Sequence, residues 1–149
     1  MMTSVQVCTV RLKKLHPSAQ VPKYAHVGLY GDMGADLFCV EQMSIDPWTI
    51  RSVSTGIALE FPPGVGAVIE DRSGLASKGL TTLAGVVDPG YRGEIRVVMT
   101  NLSNRSVSLD TGDRIAQLRL VNLIQANFTE VEEIQKTPRN KRGFGSTGK

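Results

Sequence analysis

Arg114-Ile115-Ala116-Gln117-Leu118-Arg119-Leu120 alternates polar and apolar side chains with period two, which marks a strand with one face buried. By that alternation Ile115 and Ala116 point to opposite faces, and Gln117 shares the face of Ile115. Val5-Gln6-Val7-Cys8-Thr9-Val10-Arg11-Leu12 has the same period. Gly66 to Ile69 and Ile95 to Thr100 are short β-branched runs. Turn signals punctuate the chain at Pro62-Pro63-Gly64, Pro89-Gly90, Ser103-Asn104 and Thr111-Gly112-Asp113. No stretch is amphipathic over three helical turns. One short helical turn is expected over Ser73 to Lys78, with Ser73 as its cap. Many short strands at close spacing predict an all-β chain, a jelly-roll-like barrel or sandwich.

The chain has 149 residues, enough for one domain with a proper core. Hydrophobic residues make up 41% and charged residues 21%, an ordinary soluble globular balance. No window is apolar enough to span a membrane, so no membrane partner is expected. Met1 to Val10 lacks a charged start followed by an apolar run, so no signal peptide is expected and the location read is cytoplasmic. The sequons at Asn101, Asn104 and Asn127 then carry no expectation of glycosylation. Cys8 and Cys39 lack metal-ligand spacing and read as reduced packing residues.

The net charge of +3 is unevenly placed. Five of the 17 basic residues, Lys136, Arg139, Lys141, Arg142 and Lys149, lie from position 136 onward without an acid, which leaves the body slightly acidic. Nucleic acid is disfavoured as the partner, because interleaved aromatics and a basic face on the body are missing. A small polyphosphate ligand explains the charge equally well.

Four blocks in the body can carry chemistry. Asp88-Pro89-Gly90-Tyr91 suits a type II turn, with Pro second and Gly third, so Asp88 and Tyr91 are drawn together in a rigid frame. It reads either as a hairpin turn with a solvated Asp or as a general base beside a sugar-stacking ring. Arg72-Ser73-Gly74-Leu75-Ala76 offers a guanidinium, a hydroxyl and the free amides of a helical start, a set that can hold phosphate. In Gly112 to Leu118, Gln117 needs a hydrogen-bond partner, either core backbone or a ligand. Gly34-Ala35-Asp36-Leu37 puts an acid at a strand start.

The chain closes with Gly143-Phe144-Gly145-Ser146-Thr147-Gly148-Lys149. Its glycines and hydroxyls offer donors that wrap a phosphate chain, and Phe144 has no core of its own to enter. The segment reads as a disordered end with an incidental Phe or as a closing tail. A P-loop is not expected, since no Ser or Thr and no helix follow Lys149.

In this order and spacing the blocks resemble the five motifs of the trimeric deoxyuridine triphosphatases (dUTPases). Gly34 to Leu37 is similar to the first motif and Arg72 to Ala76 to the second. Gly85-Val86-Val87-Asp88 through Tyr91-Arg92-Gly93-Glu94 is similar to the third, Gly112 to Leu118 to the fourth, and Arg139 with Gly143 to Gly148 to the fifth. The resemblance covers about residue 23 to the end.

The resemblance implies a homotrimer that shares its sites between subunits and hydrolyses dUTP to dUMP and pyrophosphate, supplying the precursor for dTMP. It implies a barrel domain over 1–135 and a flexible closing tail over 136–149. Asp88 would deprotonate the water that attacks the α-phosphorus, and Tyr91 would pack under deoxyribose and exclude a 2′-hydroxyl. Backbone around Gly85, Val86 and Val87 would read the edge of uracil, with Thr82 and Arg96 also among the substrate-binding positions. Arg72, Ser73, Gly74 and Gln117 would hold phosphates, with Asp36 supporting from behind. Arg139, Gly145, Ser146 and Thr147 would clamp the γ-phosphate while Phe144 stacks over uracil. Mg²⁺ would be held through the triphosphate, with no direct protein ligand.

Three positions depart from the family pattern. Thr82 stands where Asn is frequent, Arg142 replaces a glycine before Phe144, and Asp71 replaces a frequent Pro. The related deoxycytidine triphosphate deaminases share the fold and the Asp-Pro-Gly-aromatic turn but need a catalytic Glu where this chain has Val98. A non-catalytic nucleotide-binding regulator on the same scaffold would have no need to keep Asp88, Tyr91, Gln117 and Arg139 together.

Overall fold

The computed structural model describes residues 4–141 and residue 143. Ten strands and one helical turn follow in chain order: β1 (Arg11–Lys14), β2 (Ala35–Phe38), β3 (Met43–Ile45), β4 (Ile50–Glu60), β5 (Val65–Glu70), α1 (Ser73–Ala76), β6 (Leu80–Leu83), β7 (Val86–Val87), β8 (Glu94–Asn101), β9 (Val107–Leu109) and β10 (Arg114–Asn122). They form two antiparallel four-stranded sheets, ordered β1-β4-β8-β6 and β2-β10-β5-β7, and a β3-β9 ribbon. The fold is all-β and jelly-roll-like. Alternation along the strands supplies the core between the sheets: Leu37, Ile57, Ile95, Met99 and Ile115 are at most 2% exposed.

Four expectations need correction. The strand expected over Val5 to Leu12 begins only at Arg11, and Val5 and Val7 are exposed. Arg11 pairs with Glu60, the last residue of β4. Beyond Glu60 the chain runs through Phe61 into Pro62-Pro63, where proline has no N–H to extend a ladder.

The second correction concerns β10. Arg114 pairs with Phe38 and Ala116 with Leu37, so Ile115 is the extra residue of a β-bulge. The bulge turns both Ile115 and Ala116 into the core, at 0% exposure each. Gln117 is thereby set on the opposite face from Ala116 and Leu118.

The third concerns the Asp88–Tyr91 turn. It closes as expected, with Tyr91 N–H donating to Asp88 O at 3.0 Å. Yet Gly90 does not have the positive φ that a type II turn requires. The left-handed backbone lies just upstream, at Ala84 (φ 61) and Gly85 (φ 114), where the chain leaves β6 and enters β7 in the other sheet.

Finally, Ser73 is the first residue of α1 rather than its cap. Arg72 holds the cap position and makes no side-chain cap bond. The predicted turn between β8 and β9 is organised by Asn101, which is fully buried. Its Nδ2 donates to Ile45 O and Arg105 O, and its Oδ1 accepts from Ser103 N–H and Oγ. No helix of the described residues is long and apolar enough to cross a membrane.

Candidate active site

A cavity of about 240 Å³ opens between the Leu83–Asp88 segment and the start of β8, with Tyr91 at its edge. Its wall is built by the left-handed pair. Gly85 O accepts from Ile69 N–H at 2.8 Å, and a Cβ on Gly85 would meet Ile69 O at 2.6 Å. Only glycine can close that wall. Val86 is exposed and Val87 buried, and both line the cavity.

Tyr91 folds back over Gly93, where a Cβ would come within 2.5 Å of the phenol oxygen. Its hydroxyl donates to Glu94 O at 3.0 Å. Two bonds, one through the backbone and one through the ring, therefore fix the aromatic face beside Asp88.

Two carboxylates line the cavity, Asp88 and Glu94. Glu94 is fully engaged. It accepts from Ser54 Oγ, from Gly56 N–H at 2.9 Å and from Arg96 Nη1 at 2.8 Å. Burial pushes its pKa up, but the bonds from Ser54, Arg96 and Gly56 outweigh burial and hold it below the usual glutamate value. Glu94 is thus a poor proton acceptor, whereas Asp88 is exposed at the turn. Arg96 also lines the cavity, but its guanidinium reaches across to β4, donating to Ser52 Oγ at 2.9 Å and Ser52 O at 2.8 Å. Val98, the deaminase position, lines the cavity without any proton to exchange.

A second group assembles on the other sheet. Asp36 and Glu70 are the cross-strand partners of Gln117 on β2 and β5. Asp36 accepts from Arg72 Nε at 2.9 Å and pairs with Arg114 at 3.5 Å. Arg72 is therefore aimed by the acid expected to support it. Gln117 Nε2 donates to Asp71 O at 2.7 Å, which answers its need for a partner. A Cβ on Gly34 would strike Gln117 Oε1 at 2.8 Å, so the first motif's glycine makes room for the fourth motif's amide. Ser73 and Gly74 are exposed at the start of α1, where amides precede any helical acceptor.

Arg72, Ser73, Gly74 and Gln117 do not line the cavity that holds Asp88. Within one chain these residues and the cavity form two separate groups. Thr82 is also absent from the cavity wall, its N–H and Oγ1 both donating to Asp71. Phe144, Gly145, Ser146 and Thr147 lie outside the described residues.

The dUTPase family model matches residues 22–148, which takes in all these motifs. The chain belongs to the dUTPase family. It is 46% identical to the deoxyuridine 5'-triphosphate nucleotidohydrolase of Wolinella succinogenes, over 99% of each chain. It is 42% identical to the enzyme of that name from Solibacter usitatus over the full length of both. Among solved structures it is similar to the G164S mutant of the Staphylococcus bacteriophage 80alpha dUTPase with dUpNHpp, with a TM-score of 0.84 and 26% identity over 95% of this chain and 99% of that one. The dUTPase motifs were legible as residue strings. The ties of Glu94 to Ser54 and Gly56 and of Asp71 to Thr81 and Thr82 were not, because these partners stand 38 to 40 and 10 to 11 residues away in sequence.

Proposed function

We propose that this dUTPase hydrolyses dUTP to dUMP and pyrophosphate, with Asp88 taking a proton from the water that attacks the α-phosphorus. The observation that carries the reading is the cavity itself. It joins a backbone wall at Gly85 to Val87, a fixed aromatic face at Tyr91 and one available carboxylate. Backbone N–H and C=O groups at Val86 and Val87 suit the alternating donors and acceptors of a pyrimidine edge. Asp88, adjoining that wall, suits a base acting on water beside the first phosphate. Arg72, held by Asp36, then binds phosphate oxygens together with the Ser73 hydroxyl and Gln117.

The donor set fits a Mg²⁺ carried on the triphosphate. Mg²⁺ is commonly held by one or two carboxylates plus substrate phosphates, and the cavity carries the carboxylate of Asp88 at its exposed rim. When bound, it supplies neutralisation of phosphate charge. Incubating the protein with each dNTP and Mg²⁺, and assaying pyrophosphate and ammonia, tests the reading. Pyrophosphate from dUTP alone is the expected outcome; ammonia from dCTP would make the chain a deaminase.

Sugar selection is assigned to Tyr91. Its ring is pinned at both ends, so a 2′-hydroxyl meets a surface that does not yield. UTP should be a very poor substrate, and Tyr91→Ala should narrow the gap between dUTP and UTP. Equal wild-type turnover of the two nucleotides would show that the ring lies elsewhere.

The two separate groups support a homotrimer whose sites are shared between subunits. Residues 123–141 leave the barrel without strand or helix and are exposed throughout. Ile124, Phe128 and Ile134 on this arm are each at least 87% exposed, an apolar surface that a neighbouring copy would cover. Light scattering should give three times the 16.1 kDa chain mass. A monomer with full activity would refute the shared site.

A further inference from the structure

Asp71 is a carboxylate beside the site for which the dUTPase motifs provide no role. It lies between the end of β5 and Arg72. Its Oδ1 accepts from Thr82 N–H at 2.6 Å and from Thr82 Oγ1 at 2.8 Å, and its Oδ2 accepts from Thr81 Oγ1 at 2.7 Å. β5 and β6 belong to different sheets, so this side chain ties one sheet to the other where the phosphate turn begins. β6 is an edge strand, bonded to β8 on one side only. The Thr82 amide therefore has its partner in Asp71 rather than in a ladder.

Two residues beyond Thr82 the chain turns through Ala84 and Gly85 into the cavity wall. That wall is anchored downstream by Ile69 N–H on Gly85 O and upstream by Asp71 on Thr82.

We infer that Asp71 is a positioning residue for base selection: by holding Thr82 against the phosphate turn, it fixes the Leu83–Val87 wall so that its backbone distinguishes one pyrimidine edge from another. The inference rests on the reading of this wall as the base site of a dUTPase. Uracil presents a carbonyl at C4 and an N–H at N3, where cytosine presents an amino group and a bare nitrogen. A backbone held in place rejects the wrong edge because buried polar groups are left unpaired. A wall free to shift accommodates both. Tyr91 is fixed by its own bonds at Asp88 and Glu94, so sugar selection does not pass through Asp71.

The test measures inhibition constants of dUMP, dCMP and UMP, together with kcat and KM for dUTP, in wild type and three variants. Asp71→Ala should cut the preference for dUMP over dCMP about tenfold, the size of one or two net hydrogen bonds. KM should rise while kcat changes less than about threefold, and the preference for dUMP over UMP should hold. Asp71→Asn keeps an acceptor for both Thr82 donors and turns its amide to Thr81 Oγ1, so it should restore base preference to within about threefold of wild type. Thr82→Val removes one of the bonds without touching charge and should fall between; it carries the test on the same ratio if the alanine variant does not fold. An unchanged dUMP-to-dCMP preference, or an equal loss for all three nucleotides, overturns the inference. Wild-type protein without dUTP turnover would overturn the parent reading instead, before any variant is made.

Discussion

Asp88→Asn is expected to lower kcat for dUTP by about 10²–10⁴-fold, the usual contribution of a positioned general base. The substitution keeps the size of the side chain and its capacity to hydrogen-bond water, but removes the acceptor for the water's proton. Nothing else lining the cavity can take over. Glu94, the other carboxylate there, is engaged by Ser54, Gly56 and Arg96, and its pKa is held low. The turn closes through Tyr91 N–H and the backbone oxygen of residue 88, so the frame does not depend on the carboxylate. Nucleotide affinity should therefore stay near wild type while turnover collapses. A variant retaining more than half its activity would take the base assignment away from Asp88.

Truncation after Thr137 is expected to cut turnover nearly as severely while leaving the melting temperature and the assembly mass almost unchanged. The described part of the removed segment is exposed and carries no strand or helix, so little apolar surface is lost from the barrel. The chemical loss is large on the proposed reading. Arg139, Ser146 and Thr147 supply charge and donors for the terminal phosphates, and Phe144 supplies a stacking face worth about 1–3 kcal/mol per base in comparable contacts. Closure also excludes bulk water and aligns the α-phosphorus, so kcat as well as KM should suffer. Phe144→Ala should show a smaller version of the same defect. A melting curve paired with steady-state kinetics decides the matter. Unimpaired turnover would return the segment to an incidental end, and loss of the assembly would make it a structural strap.

These two expectations draw on different levels of information. The all-β class was legible because alternation and turn chemistry are local: Gly66 to Ile69, Ile95 to Thr100 and Arg114 to Leu120 each fall inside a strand, and the Pro62-Pro63-Gly64, Ser103-Asn104 and Thr111-Gly112-Asp113 signals each fall between strands. The motifs were legible for the same reason, since Asp88 with Tyr91 and Arg72 with Ser73 and Gly74 are neighbours along the chain. Family membership followed from those strings and agrees with the match over residues 22–148.

What the chain could not display locally was decided by contacts between distant strands. Alternation placed Ile115 and Ala116 on opposite faces, but β2 offers one residue for two of β10, and the resulting bulge buries both. The same alternation carried β1 back to Val5, but a strand extends only as far as its partner, and β4 ends at Glu60 before a pair of prolines. Pro89-Gly90 has the residues of a type II turn, yet the positive φ falls on Ala84 and Gly85, where the chain must cross from one sheet to the other. Residue types alone made Glu94 and Asp88 comparable carboxylates and left Asp71 as a departure from pattern. Only the packed sheets, by bringing Ser54 and Gly56 to Glu94 and Thr81 and Thr82 to Asp71, turn one acid into a fixed strut and another into a tie between sheets, and leave Asp88 exposed at the cavity.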